Sequence, residues 1–240
     1  MRIAIIGHGK MGKAIEEAAL ACKHEIGLII DIDNREDLNS THLAGHDVAV
    51  EFSTPSAAFE NVSACFDAGI PVVSGTTGWN DSLPRVIEWC RKEKKSLVHA
   101  SNFSLGVNLL FHINSRLAAL MNRFGQYEVS IQEIHHVLKK DAPSGTAIAL
   151  AEGIISGMDG KDKWTLSPEP EEQEVGIRSV RAGDIFGIHE VSYESEHDRL
   201  SIRHSAKNRM GFASGVILAA EFIRDKKGFY TMQDVLALSS

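Results

Sequence analysis

The sequence predicts an α/β chain in two parts. A doubly wound parallel sheet is expected over residues 1–105 and 210–240, and between them, over 106–209, an α+β domain with an open mixed sheet. Three observations predict this. As far as Phe103, short apolar runs alternate with helix-length segments, the pattern of a parallel sheet with crossover helices. From Gly106 that pattern gives way to a long helix and then to runs that alternate with period two, as strands buried on one face do. Beyond Gly211 an apolar helical run, Phe212 to Ile223, resumes the first pattern.

The elements follow in order. Residues 2–6 read as a buried strand, Gly7-His8-Gly9-Lys10-Met11-Gly12 as a glycine turn, and the residues to about Cys22 as a helix. A second strand, Ile26–Ile30, ends on Asp31. Strands at 47–52, 71–74 and 96–99 then alternate with helices from Ser56 to about Ala68 and from Leu83 to Glu93. Strand, glycine turn, helix, strand, acid is the context that gives a G-x-G-x-x-G its meaning as a dinucleotide fingerprint in a Rossmann-like domain. The glycines let the backbone approach a pyrophosphate at the helix N-terminus, and Asp31 accepts hydrogen bonds from the adenosine ribose. Ligands of such sheets lie beyond the carboxyl ends of the strands. Gly7–Gly12, Phe52–Thr54, Gly75-Thr76-Thr77 and Ala100-Ser101-Asn102-Phe103 are therefore expected to line one crevice.

In the inserted part, a helix from Val107 to about Arg123 precedes the alternating strand Tyr127–Ile134. Three more alternating runs follow, at 175–182, 188–195 and 199–205. The stretch 157–173, acidic and carrying two prolines, reads as a surface excursion, and residues 228–232 as a turn before a short last helix.

Composition narrows the function classes. A chain of 240 residues with 43% hydrophobic and 24% charged residues is an ordinary globular one. Its formal charge of −7 supplies no general attraction to nucleic acid or to an anionic membrane. No apolar stretch approaches the length of a membrane span, and the run at the N-terminus is too short for a signal peptide. Cys22, Cys65 and Cys90 are odd in number and widely spaced, which points to free thiols in a reducing cytoplasm. None of the eleven histidines has ligand spacing, so no metal is expected.

The segment Glu133-Ile-His-His-Val-Leu-Lys-Lys-Asp-Ala-Pro-Ser-Gly-Thr146 concentrates the chemistry. Adjacent imidazoles titrate near neutrality and two ammonium groups follow them. Ser144 is a good N-cap for the apolar run that starts at Ala147, and the N–H groups of that first turn form an anion site. A strand would place His135 and His136 on opposite faces, so the pair belongs at a strand exit. This set suits an enzyme that acts on a small anionic substrate.

The whole string resembles the signature of the dihydrodipicolinate reductase family, E-x-H-H-x-x-K-x-D-A-P-S-G-T, at every fixed position. The resemblance spans the chain and extends to Arg209-Met-Gly-Phe212. It implies reduction of 4-hydroxy-tetrahydrodipicolinate by NADH or NADPH in lysine and diaminopimelate synthesis, with a small dicarboxylate as substrate. It implies that His135 takes and gives a proton, that Lys139 donates one, that His136 touches substrate, and that Gly145 and Thr146 bind a substrate carboxylate. On the cofactor side it implies contacts from Gly7, His8, Gly9, Lys10, Met11, Gly12, Asp31, Gly75, Thr76, Thr77, Ala100, Ser101, Asn102 and Phe103. It further implies a homotetramer built through the second sheet.

Two departures from the family pattern bear on the cofactor. The family commonly has G-x-x-G-R-M-G in the phosphate turn; here the turn is one residue shorter and Lys10 stands in place of the arginine, giving charge without a bidentate fork. Members that hold NADPH well often follow the acid of the second strand with arginine; here Ile32 follows Asp31. A carboxylate facing a 2′-phosphate is repelled by it, so NADH is the expected preference, with Arg35 able to swing in and offset the repulsion. Two other readings compete. Another two-domain NAD(P)-dependent oxidoreductase would carry Glu-Lys-Pro or a nucleophilic cysteine near the site, and this chain has neither. A non-catalytic nucleotide sensor need not keep the proton-transfer groups His135 and Lys139.

Overall fold

A computed structural model describes residues 1–238. The chain forms two compact units, Met1–Ser104 together with the stretch from Arg209 onward, and Leu105–Asn208.

The first unit opens with β1 (Arg2–Ile6), α1 (Lys10–Ala21) and β2 (Glu25–Ile30). The short helix α2 (Ser40–Leu43) leads to β3 (Val48–Glu51), α3 (Pro55–Asp67), β4 (Val72–Ser74), α4 (Leu83–Lys92) and β5 (Ser96–His99). The second unit holds α5 (Leu105–Met121), β6 (Glu128–His135), α6 (Gly145–Ile155), β7 (Lys163–Thr165), β8 (Glu174–Arg181), β9 (Gly187–Glu194) and β10 (Arg199–Ala206). The chain then returns to the first unit with α7 (Met210–Ile223), β11 (Gly228–Tyr230) and α8 (Met232–Val235).

The first sheet has the order β11-β5-β4-β3-β1-β2 and every pair in it is parallel. Both faces are covered, which is why its strands read as continuous apolar runs. Period two sends Ile3 and Ile5 to the face packed by α1 and α7, and Ala4 and Ile6 to the face packed by α3 and α4. Each such isoleucine, fully withdrawn from water, contributes roughly 1.5–3 kcal/mol. The strand order reverses between β1 and β3, so the carboxyl ends of these two strands flank the crevice where such sheets bind ligands.

The second sheet has the order β10-β9-β6-β8-β7, with β9 antiparallel to β6 and β8 parallel to it. It is mixed, as expected. Val129 and Ile131 of β6, Val175 and Ile177 of β8, and Val191 and Tyr193 of β9 form a core with α5 and α6. The same alternation carries this buried face onward to Glu133 and His135, to Ser179 and Arg181, and to His189 and Gly187. At one end of the sheet, then, three neighbouring strands change from apolar to polar on the face that elsewhere makes the core.

Two expected loops contain short strands. Residues 163–165, within the stretch read as a surface excursion, form β7 against β8, and residues 228–230, read as a turn, form β11 against β5. Neither is a buried apolar run of the kind that marks the equally short β4. A 3-10 turn at Ile32–Asp37 and α2 were likewise not expected from the pattern.

Candidate active site

The polar end of the second sheet is organised around Glu133, whose side chain is fully buried. Its Oε1 accepts hydrogen bonds from the backbone N–H of Ser144 at 3.1 Å and from Nη2 of Arg181 at 3.0 Å. Its Oε2 lies 3.0 Å from Nδ1 of His135 and 3.9 Å from Nε2 of His189. Register explains the gathering: His189 stands directly opposite Glu133 across β9, and Arg181 directly opposite His135 across β8. Burial pushes the Glu133 carboxyl upward, but the combined donors from His135, Ser144 and Arg181 overcome it and hold the group well below the usual carboxylate range.

The imidazoles of His135 and His189 meet edge to face with centroids 5.0 Å apart. Both residues are buried. Gly187 leaves room for the His135 ring, since a Cβ there would lie 3.1 Å from Nε2. His189 also touches Oγ of Ser144 at 3.2 Å. That hydroxyl caps α6 by accepting from the N–H of Ala147.

β6 ends on His135, so His136 begins the exit loop, where it is half-buried. Lys139 lies further along that loop with its Nζ 2.8 Å from Oδ2 of Asp141. Against the cost of partial burial, this ammonium holds the Asp141 carboxyl below its ordinary range. Gly145 is the exposed first residue of α6, and a Cβ built there meets nothing within 4 Å; Thr146 follows it. The expected residues His135, His136, Lys139, Gly145 and Thr146 thus occupy one strand end, one loop and one helix start.

Three residues of this end were not singled out from the sequence. Arg181 is one, and its guanidinium reaches Glu133 and the Asp141 carbonyl oxygen. Glu133 and His189 carried no expected role either. The available signal was phase, because both fall on the inward positions of their strands, where apolar residues would be the rule.

Glu133, His135 and His189 bring their donor atoms within 4.8 Å of one another among the described residues. That spacing alone would admit a cation. The fixed positive charge of Arg181 on the same carboxylate opposes the addition of a dication there.

In the first unit, the expected cofactor residues lie at the carboxyl ends of β1, β2, β4 and β5. Gly7 has φ +92°, and a Cβ on it would sit 2.1 Å from the Phe52 carbonyl oxygen, so only glycine fits. Gly12 packs equally closely on the Gly7 carbonyl. Gly9 is the N-cap of α1, without a side-chain cap, and a Cβ on it would meet open space. Tight packing below and an open, uncapped helix start above fit a pyrophosphate cradle. Lys10 is exposed in the first turn, Met11 packs against the core, and His8 Nε2 holds Glu16 Oε2 at 2.7 Å.

Asp31 is exposed and locked in a reciprocal cap, its carboxylate accepting from the N–H of Ile32 and its N–H donating to Asn34. Thr76 turns its hydroxyl inward to the buried Glu51, which also accepts from Ser74 at 2.7 Å and from Ser53. Gly75 and Thr77 remain at the rim. Ser101 is exposed and Asn102 caps the N–H of Ser104, whereas Phe103 is a core residue whose ring packs on Phe52. The side chains of Thr76 and Phe103 therefore shape the crevice from behind.

Burial of His189, followed in weight by its nearness to His135, pushes its imidazole down to about 4. A base with a depressed folded value destabilises the fold on acidification. Between pH 6.5 and 4 the unfolded chain takes up a proton that the folded chain refuses, a loss reaching about 3 kcal/mol. Glu133 adds a loss of the same sign, but only below the ordinary carboxylate range. Urea unfolding at pH 7.0, 5.5 and 4.5 is expected to show falling stability, and His189→Gln to fall less steeply. Equal slopes for the two proteins would refute this account of His189.

Two family profiles divide the chain. The profile described as dihydrodipicolinate reductase, N-terminus, matches residues 1–103, and that described as dihydrodipicolinate reductase, C-terminus, matches residues 106–236. The chain is 46% identical to the 4-hydroxy-tetrahydrodipicolinate reductase of Christiangramia forsetii, over 99% of this chain and 98% of that protein. It is 34% identical to the protein of the same name from Neisseria meningitidis, over 100% and 98% of the two chains. Among solved structures it is similar to the dipicolinate-bound dihydrodipicolinate reductase of Paenisporosarcina sp. TG-14, with a TM-score of 0.80 at 25% identity over 98% of each chain.

Proposed function

The chain belongs to the dihydrodipicolinate reductase family, and from that premise we propose how its own residues carry out the reduction of 4-hydroxy-tetrahydrodipicolinate to tetrahydrodipicolinate. The reaction adds hydride at ring carbon C4 and expels the 4-hydroxyl as water. A reduced nicotinamide supplies the hydride when bound; the chain supplies position, charge and protons.

The open N-terminal turn of α6 presents the N–H groups of Gly145 and Thr146 to one substrate carboxylate, aided by the helix dipole. His136 in the exit loop adds a contact. His135 moves a proton at Nε2, the ring nitrogen turned away from Glu133, and Lys139 donates a proton once its ion pair with Asp141 opens. In the first unit, Gly7–Gly12 cradle the pyrophosphate, Asp31 receives the ribose hydroxyls, and Gly75–Thr77 with Ala100–Phe103 line the rest of the crevice. The carboxylate at Asp31 makes NADH the preferred reductant.

The observation that carries this reading is the convergence of Glu133, His135, His189 and Arg181 beneath the start of α6. The experiment is a spectrophotometric assay of NADH oxidation with freshly generated substrate. Oxidation that depends on substrate is expected, and its absence with active, folded protein would end the reading.

We further infer a homotetramer assembled through the second sheet. Ser130, Gln132, Arg178 and Glu190 line a concavity on the face away from the α5–α6 core, and the edge strand β10 exposes Leu200. Sedimentation equilibrium gives the mass that decides it. A cytoplasmic setting is supported by the three free cysteines, and among the described residues no helix is long and apolar enough to cross a membrane.

A further inference from the structure

We propose that Glu133 is a positioning residue that fixes His135 in its Nδ1–H tautomer and so leaves Nε2 as the nitrogen that exchanges protons with substrate. This rests on the reading of His135 as the proton carrier and adds the residue that determines which of its nitrogens does the work.

A neutral imidazole carries one N–H, and the partner of one nitrogen decides the state of the other. The groups facing His135 come from its own strand and from three packed elements: Glu133 on β6, His189 on β9, Arg181 on β8 and Ser144 at the start of α6. Of these, Glu133 alone is an anion. Arg181 and the Ser144 N–H both occupy its Oε1, and this keeps the carboxylate ionised and its other oxygen an acceptor only. Oε2 and Nδ1 of His135 stand 3.0 Å apart, sealed from water but off the line of a well-formed hydrogen bond, and neither makes a hydrogen bond to any other of the described residues. A bare nitrogen this close to a carboxylate oxygen would hold its electron density against a negative charge in a buried site, whereas a small turn of the ring lets an N–H meet that oxygen. The proton on Nδ1 removes that cost.

The rest of the pocket preserves the outcome. His189 packs edge-on against the ring and limits its rotation, while Gly187 leaves the Nε2 side without a side chain. His189 itself resists protonation, so a second positive imidazole does not compete for Glu133. A second role for Glu133, tying α6 and β8 to β6, is purely architectural. It predicts different behaviour on substitution.

The test compares wild type with Glu133→Gln and Glu133→Asp, measuring the ring nitrogen-15 shifts of His135 near neutral pH together with kcat and KM. Wild type is expected to show a protonated Nδ1 and a bare Nε2. An amide in place of the carboxylate both donates and accepts, so Glu133→Gln is expected to mix the tautomers and lower kcat about 10- to 100-fold with KM within threefold. Glu133→Asp, which keeps the charge, is expected to recover part of kcat. A wild-type His135 protonated on Nε2 would overturn the proposal even if neither variant folded. So would an unchanged tautomer in Glu133→Gln, or a loss confined to thermal stability. Full turnover by His135→Ala would instead defeat the proton-carrier reading, while the nitrogen shifts would still decide the tautomer lock.

Discussion

Replacing His135 with alanine is expected to lower kcat by about 100- to 10,000-fold while leaving KM nearly unchanged. The asymmetry follows from where the ring sits. It ends β6 on the inward face, backed by Glu133, and the groups assigned to hold the substrate carboxylate, Gly145 and Thr146, belong to α6. On the proposed function, removing the ring takes away the proton route and leaves the carboxylate cradle in place. The alanine also vacates a buried site and costs stability, so rates are referred to folded protein, with His135→Gln as a better-filling control. Lys139→Ala in the same assay is expected to lower kcat and raise KM together, because the proposed function gives one ammonium two roles, cation for the substrate and proton donor. A large rise in KM with intact kcat in His135→Ala would reassign that residue to binding.

Cofactor choice carries the second large effect. NADH is expected to give the higher kcat/KM, because the 2′-phosphate of NADPH would meet the carboxylate of Asp31. At about 4 Å this repulsion is roughly 1 kcal/mol in bulk water and about 4 kcal/mol at an intermediate dielectric, which spans ratios from about fivefold to about a thousandfold. Asp31 is exposed, so the lower half of that range is the working expectation. The carboxylate accepts from the backbone N–H of Ile32 within a reciprocal cap with Asn34, which holds it in place. Arg35, the cation expected to swing in and offset the repulsion, is paired with Glu60 at 2.8 Å. Exposed Ile32 offers methyl groups where an arginine would serve the phosphate. Glu60→Gln frees Arg35 and is expected to narrow the preference. A clear wild-type preference for NADPH would refute this role for Asp31.

Much of this architecture is legible in the order of residues because it rests on local periodicity. Ile3 to Ile6 are buried on alternating faces, and a run of four apolar residues says so directly. β7 and β11 escape because Lys163-Trp-Thr165 and Gly228-Phe-Tyr230 are not buried apolar runs, whereas the equally short β4 is. The candidate site divides in the same way. Glu133 to Thr146 is one contiguous segment whose chemistry reads off the chain, including the Ser144 cap. Arg181 and His189 reach that segment only through strand register, and no single-sequence pattern specifies which strands will be neighbours. Glu51 is similar: its donors are the hydroxyls of Ser53, Ser74 and Thr76 and the side-chain amide of Asn61 from α3, and nothing at position 51 announces a buried acid.

The return of α7 and β11 to the first sheet has a consequence for biosynthesis. When residues 1–104 leave the ribosome, α1 covers its share of one face of the sheet but the share that α7 covers is still bare, and β5 still lacks its outer neighbour. The intervening unit is complete in sequence before either arrives. The unit begun first is thus the unit that finishes last, and its apolar face must be shielded from other chains until α7 and β11 have been made.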